Sequence, residues 1–474
     1  IMGLLTVAMV AAGICRNIPI PYTVFLVILG IILGSVARKW PEFETLLAFQ
    51  LTPELVLYLF LPALIFESAF NLDARQLLKD LAPVMVLAIP ALVISTALIG
   101  IGLWSFLDIS FLLALLFGAL ISATDPVAVI ALFKELGAPQ RLTILVEGES
   151  LLNDATAIVI FNVILGLVLG GALAMSDVGH AFVDFFREFF GGILVGAVIG
   201  IVLSEILYRM HVGVSSYLVM SIVLAYACFA LAQHVLHVSG VMAVVAAAIS
   251  LGVLGVSRIP QAATHVVKET WEVITLVCNS LLFLLVGLSI NITQLLTRLD
   301  TIFLAILLML LARAATLYTM VPPTIRLFNL PHVTMGERHI MWWGGLKGGL
   351  AIAIVLSIPK DLPGRDLLLD LTLGAVMFTL LVNATTIKPL IRKLGIDRLT
   401  DDERSELKHG LIQSQQHAAA ALQKLHDVEL ISRSTQQLIQ KKCEQVFESD
   451  APEIDRKQDI RFLYLTALRT EEEE

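Results

Sequence analysis

Apolar runs of the length that crosses a bilayer, about 20 residues at 1.5 Å rise each, recur thirteen times along this chain. They fall at 1–15, which is shorter than the rest, and at 19–37, 51–70, 81–106, 110–133, 141–170, 186–208, 214–236, 238–256, 268–290, 301–325, 338–358 and 367–391. The pattern predicts an all-α polytopic membrane protein with about thirteen transmembrane helices over residues 1–395, followed by a polar segment over 396–474. An odd number of spans places the two ends of the membrane part on opposite faces. Loops after odd-numbered spans hold ten Lys/Arg: Arg16, Arg75, Lys79, Lys134, Arg141, Arg209, Arg258, Lys268, Arg326 and Arg338. Loops after even-numbered spans hold six: Arg38, Lys39, Arg187, Arg298, Lys360 and Arg365. Positive charge collects on the cytoplasmic side, so the chain is expected to start outside and carry its tail in the cytoplasm of a plasma (inner) membrane.

Composition agrees with the pattern. Hydrophobic residues make up 57% and charged residues 15% of 474, against about 45–50% and about 25% in soluble domains. The net charge of -8 sits mostly in the tail, where residues 401–474 hold ten Lys/Arg and sixteen Asp/Glu, a balance of -6. Without a basic stripe no nucleic-acid partner is expected. Cys15, Cys228, Cys278 and Cys443 are too scattered for a disulfide framework or a metal cluster, and no cofactor is expected.

Two spans are interrupted. Span 5 carries Ser122-Ala123-Thr124-Asp125-Pro126 at its middle, where Pro126 offers no N–H to the Ser122 carbonyl and disfavours helical geometry at Asp125. Span 12 carries Gly344-Gly345-Leu346-Lys347-Gly348-Gly349, four glycines around one charge. If spans 1–6 and 8–13 form two inverted repeats joined by span 7, these breaks occupy equivalent places as crossed, broken helices, which points to a binding site near the midplane. Unwound backbone survives at that depth only under protein cover or beside a water-filled cavity.

The polar residues of span 6 carry the candidate chemistry. Val146–Val159 reads VEGESLLNDATAIV, and an acid at mid-membrane costs about 2.5–3.5 kcal/mol, so three carboxylates within eight residues need a compensating role. Ser150 and Asp154 share a helix face at a spacing of four, with Glu147 further back; Glu149 and Asn153 form the neighbouring row. Carboxylate, hydroxyl and amide oxygens suit a small, hard cation, and the freed carbonyls and Asp125 of span 5 would supply the opposite wall. Burial favours the neutral form of a carboxylate and a bound cation favours the charged form. Asp154 is therefore expected to hold a proton or a cation in turn, giving one-for-one, electroneutral exchange under alternating access. Arg313, alone in span 11, is paired with Glu149; Lys347 is expected to compensate helix-end carbonyls where span 12 unwinds. Glu67 lies deep in span 3, with Pro62 as a candidate kink nearby.

Other polar features read more plainly. His234 and His237 lack a third metal ligand and read as interfacial, Gly191, Gly192 and the Gly196–Gly200 stretch as close helix packing, and Trp342-Trp343 as an interface anchor. From about Asp402 to Phe447 the tail has helical spacing at Leu407, Leu411, Ala418, Leu422, Leu425 and Val428. It reads as a helical arm for a dimer contact or a regulator, or as a solvated helix without a defined task. Ala451-Pro452 ends it, and Glu471–Glu474 is an acidic, disordered-type end.

GESLLNDATAIV, ATDPVAV and GGLKGGLAIAI, in this order and spacing, resemble the signature stretches of the cation/proton antiporter family, in its sodium/proton exchanger branch with an Asn-Asp pair in span 6. The resemblance runs over about residues 1–395. It implies Asp154 as the ion-carrying acid with Asn153 beside it, Na⁺ at Asp154, Asp125, Thr124 and Ser150, and Glu67 as an acid near that site. It further implies Glu149 and Arg313 as an internal ion pair, and a homodimer with a dimerisation part and a mobile core moving like an elevator. Lys347 departs from the pattern, since the family usually has Arg there; Lys keeps the charge but not the planar fork. The expected activity is exchange of Na⁺, and also of Li⁺, for H⁺. The alternatives are K⁺/H⁺ exchange or, less well supported, a cation channel. The GxGD and HExxH stretches of intramembrane proteases are absent, so no enzyme is expected.

Overall fold

The structure, a computed structural model, describes residues 2–15, 21–40, 51–170, 175–210, 213–258 and 261–396, with 417, 419–423 and 439 of the C-terminal segment. The predicted helical arm over 402–447 lies, apart from those few residues, outside the described residues, as does the acidic end. The chain forms two units: Ile1–Glu135 with Pro139–Leu394, and Leu136–Ala138 with Gly395–Glu474. In the second unit residues 419–423 are helical.

Every secondary-structure element of the first unit is a helix among the described residues. In chain order its helices are α1 Met2–Cys15, α2 Tyr22–Lys39, α3 Leu55–Asn71, α4 Ala74–Lys79, α5 Leu81–Phe106 and α6 Phe111–Ser122. Then follow α7 Val127–Leu136, α8 Gln140–Gly170, α9 Met175–Met210, α10 Val214–Val235, α11 Gly240–Arg258 and α12 Gln261–Ser289. The last are α13 Ile292–Leu296, α14 Leu299–Leu327, α15 Met335–Trp343, α16 Gly349–Leu356 and α17 Arg365–Leu394. Within the described residues each predicted apolar run is occupied by helix, unbroken or, at 110–133 and 338–358, in two pieces. Among the described residues nine helical stretches are long and apolar enough to cross a membrane, and α3 and Gly240–Val253 are shorter apolar helices.

Local sequence explains where the helices start and bend. Asp73 and Ser110 accept from the first backbone N–H groups of α4 and α6, and Thr334 forms a capping box with Glu337 at the start of α15. Proline removes a helical donor, and α5 absorbs Pro90 in a π turn at Leu87–Ala91. Near Pro62, the candidate kink of span 3, α3 likewise holds a π turn, at Leu55–Phe60.

Two sets of helices emerge from who packs against whom. In one, α9 packs on α11, α2 on α12, and α3 on both α11 and α12. In the other, α5 packs on α6 and α14, α6 on α8, and α17 on α14, α15 and α16. The α9–α11 seam depends on the predicted close packing: side chains at Gly192, Gly196 or Gly200 would run into the backbone oxygens of Ser239, Ala243 and Ala247. The sets meet mainly where α8 lies along α9, α11 and α3, and where α16 touches α3 and α12. The candidate site lies on α8, in the break between α6 and α7, and in the segment just before α16.

Candidate functional site

Helix α6 stops at Ser122 because Pro126 cannot donate to its carbonyl. Residues 123–126 are not helical, and α7 restarts at Val127, whose N–H donates to Asp125 Oδ1 at 3.1 Å. The second break lies between Trp343 and Gly349. The two interruptions lie against each other: Asp125 N–H donates to the Leu346 carbonyl at 2.9 Å. Lys347 Nζ donates to the carbonyls of Ser122 at 3.3 Å and Ala123 at 2.9 Å. The expectation for Lys347 shifts by one helix, because its four-carbon stem crosses to the other break instead of serving span 12. None of the four glycines around it has positive φ. Glycine is needed here for closeness: a side chain at Gly348 would overlap the Asp125 carboxylate, and one at Gly349 the Leu282 side chain.

Helix α8 forms the facing wall. Ser150 Oγ donates to the Thr124 carbonyl at 2.7 Å, and Asn153 Nδ2 donates to Thr124 Oγ1 at 2.8 Å. That leaves Asn153 Oδ1 without a partner among the described residues, although the residue is only 2% exposed. Asp154 is half-buried and accepts no hydrogen bond from the described residues; its charged neighbours are Asp125 and Lys347. Thr124, Asp125, Ser150, Asn153, Asp154 and Lys347 are thus brought together. Two carboxylates, an amide oxygen and hydroxyls make a hard-oxygen set able to take a small cation or a proton.

Glu149, on the next row of α8, is 1% exposed and receives a two-point contact from the Arg313 guanidinium, Nη1 to Oε1 and Nη2 to Oε2, the latter at 3.0 Å. Nη2 also reaches the Met341 carbonyl at 3.3 Å, so the pair ties α8 to α14 and α15. Glu67 does not join the Asp125–Asp154 group. It accepts from Asn71 Nδ2 at 2.8 Å and has Lys134 and Glu272 as charged neighbours. Glu147, unassigned by sequence, lies in that second cluster and accepts from Ser68 Oγ at 2.9 Å, a bond from α3 to α8.

Trp342 and Trp343 place their indole N–H groups on the Leu310 carbonyl and Thr386 Oγ1, at 2.9 and 2.8 Å, so both rings fasten α15 to neighbouring helices. His234 packs against Tyr58 with ring centroids 5.3 Å apart and planes tilted by 30°, and the described residues hold no group of three His, Cys, Asp or Glu side chains placed to hold a metal ion. Sequence reasoning missed Thr379 and Asn383 on α17, which bond to the backbone of Lys347 and Trp343. Their only signal was two polar residues four apart in an apolar span.

Residues 4–393 match the family described as "Sodium/hydrogen exchanger, transmembrane". The chain belongs to this exchanger family. It is therefore a multi-pass membrane protein from a family of transporters, not enzymes. Among its relatives, the Na⁺/H⁺ antiporter ApNhaP of Aphanothece halophytica is 39% identical over 393 residues, covering 82% of this chain and 73% of that protein. The Na⁺/H⁺ antiporter NhaG of Bacillus atrophaeus is 37% identical over 404 residues, covering 83% and 74%. The exchanger fold is seen again in the sodium proton antiporter MjNhaP1 of Methanocaldococcus jannaschii at pH 8. That structure superposes with a TM-score of 0.65 at 20% identity over 82% of this chain and 96% of its own.

Proposed function

We propose that this protein is a secondary active transporter that exchanges Na⁺ for H⁺ across the membrane, with Asp154 holding proton and cation in turn. The observation that carries it is the Asp154 carboxylate, left without a hydrogen bond from the described residues beside Asp125 and the unpartnered Asn153 Oδ1, where two broken helices meet. Such carboxylates in a membrane interior are paired or functional. Relatives named as Na⁺/H⁺ antiporters over most of the chain support the choice of ions. One competing acid makes the exchange one-for-one and electroneutral, and Li⁺ is a second cargo.

The thirteen helical runs are then thirteen spans in two inverted repeats crossing at spans 5 and 12, with the start outside and the tail inside. The set built on α2, α3 and α9–α12 serves as a dimerising scaffold, and the set built on α5–α8 and α14–α17 moves against it. The tail is available to a regulator. Glu149 with Arg313 holds the core together, and Glu67 sits on the approach to the site.

The test is to reconstitute the protein in vesicles, impose a pH gradient, and record its dissipation on adding Na⁺, Li⁺ or K⁺, with Asp154→Asn alongside. Dissipation by Na⁺ and Li⁺, lost in the variant, is expected. Response to K⁺ alone would establish a K⁺/H⁺ exchanger instead. Cation flux without proton movement would establish a channel.

A further inference from the structure

Helix α17 carries a π turn at Thr379–Asn383, an irregularity found frequently at functional sites. Both ends of this turn bond to the interruption between α15 and α16. Thr379 is fully buried; its Oγ1 accepts the Lys347 backbone N–H at 3.1 Å while its hydroxyl donates to the Val376 carbonyl at 3.0 Å. Asn383, also buried, donates Nδ2 to the Trp343 carbonyl at 3.0 Å. Trp343 is the last residue of α15, and Lys347 lies just before α16. One side chain therefore serves a carbonyl that has lost its helical donor, and the other an N–H that has lost its helical acceptor.

We propose that Thr379 and Asn383 are positioning residues for the transport site. They hold the two ends of residues 343–347, and the atoms between those ends set the crossing: the Leu346 carbonyl receives the Asp125 N–H, and the Lys347 ammonium serves the Ser122 and Ala123 carbonyls. By fixing that segment the pair sets where Asp125 and Lys347 stand relative to Asp154, and hence the cation affinity, without contributing a ligand. The assignment rests on the exchange activity proposed above.

The test pairs transport with amide hydrogen exchange. Thr379→Val keeps the shape and deletes the acceptor, Thr379→Ser keeps the acceptor, and Asn383→Ala deletes the donor. Each variant is reconstituted, its apparent KM for Na⁺ is read from dissipation of a pH gradient, and exchange is followed in peptides spanning 343–349. Thr379→Val and Asn383→Ala are expected to raise the apparent KM by about tenfold, with little change in maximal rate, and to speed exchange in 343–349 but not in α5. Thr379→Ser is expected to restore both readouts. A Thr379→Val protein with wild-type KM overturns the positioning role, whether or not the segment exchanges faster. A wild type without cation-coupled proton movement overturns the exchange activity itself, and that result is seen before any variant is made.

Discussion

The Lys347 ammonium donates to the Ser122 carbonyl, the group that Pro126 leaves without a helical donor. One break thus supplies the cation that the other break's backbone lacks. Lys347→Met should leave two buried carbonyls unserved, at about 1–3 kcal/mol each, and lower thermal stability in detergent. Lys347→Arg, which keeps the charge and its donors, should lie much nearer wild type. Equal melting temperatures for Lys347→Met and wild type would show that these bonds carry no stability.

The Glu149–Arg313 pair is the buried charge contact on which α8, α14 and α15 converge. Arg313→Ala strands a carboxylate that is 1% exposed, and removing one member of a buried pair costs about 3–5 kcal/mol. Folded yield by size-exclusion chromatography should fall sharply. Arg313→Met with Glu149→Leu should recover much of it, because two apolar groups leave no unpaired charge. A well-folded Arg313→Ala protein with only an altered KM would place the pair in the ion pathway instead.

Gly348→Ala tests the crossing by sterics alone. The added methyl would overlap the Asp125 carboxylate, so Asp125 or the segment must move. Transport should be lost with folding largely retained, since the strain is confined to two unwound segments. Gly196→Ala should act differently, separating α9 from α11 through the Ala243 backbone and lowering folded yield. The two variants compared by chromatography and by vesicle assay separate site geometry from scaffold packing.

Much of this was legible in the sequence because hydrocarbon makes polar residues conspicuous. The apolar runs located the helices, Pro126 and the Gly344–Gly349 stretch located the breaks, and an Arg without an obvious partner found Glu149. Contacts set by three-dimensional reach were harder to read. Lys347 could be assigned to helix-end carbonyls, but which helix depended on how the breaks cross. Glu67 was expected near the site by resemblance alone, whereas its neighbours are Asn71, Lys134, Glu272 and Glu147. Thr379 and Asn383 act through side-chain bonds to backbone, and serine, threonine and asparagine so often bond within their own helix that two polar residues four apart in TLLVN did not mark a site.

Competition at Asp154 predicts how transport depends on pH. If one acid binds either a proton or Na⁺, lowering the pH removes binding-competent carboxylate without changing the rate of the loaded carrier. The apparent KM for Na⁺ should therefore rise as pH falls through the range where the acid titrates, approaching about tenfold per pH unit as mass action for one proton requires, while the maximal rate stays level. A slope near two would mean that Asp125 or another acid releases a second proton with it. Thr124→Val should raise KM at every pH without altering the slope, because it removes the hydroxyl that holds the Asn153 amide and leaves Asp154 in place. Apparent KM measured at several pH values in vesicles of equal protein content checks both statements. A maximal rate that falls with pH while KM stays constant would show that protons act on a gate separate from the cation site.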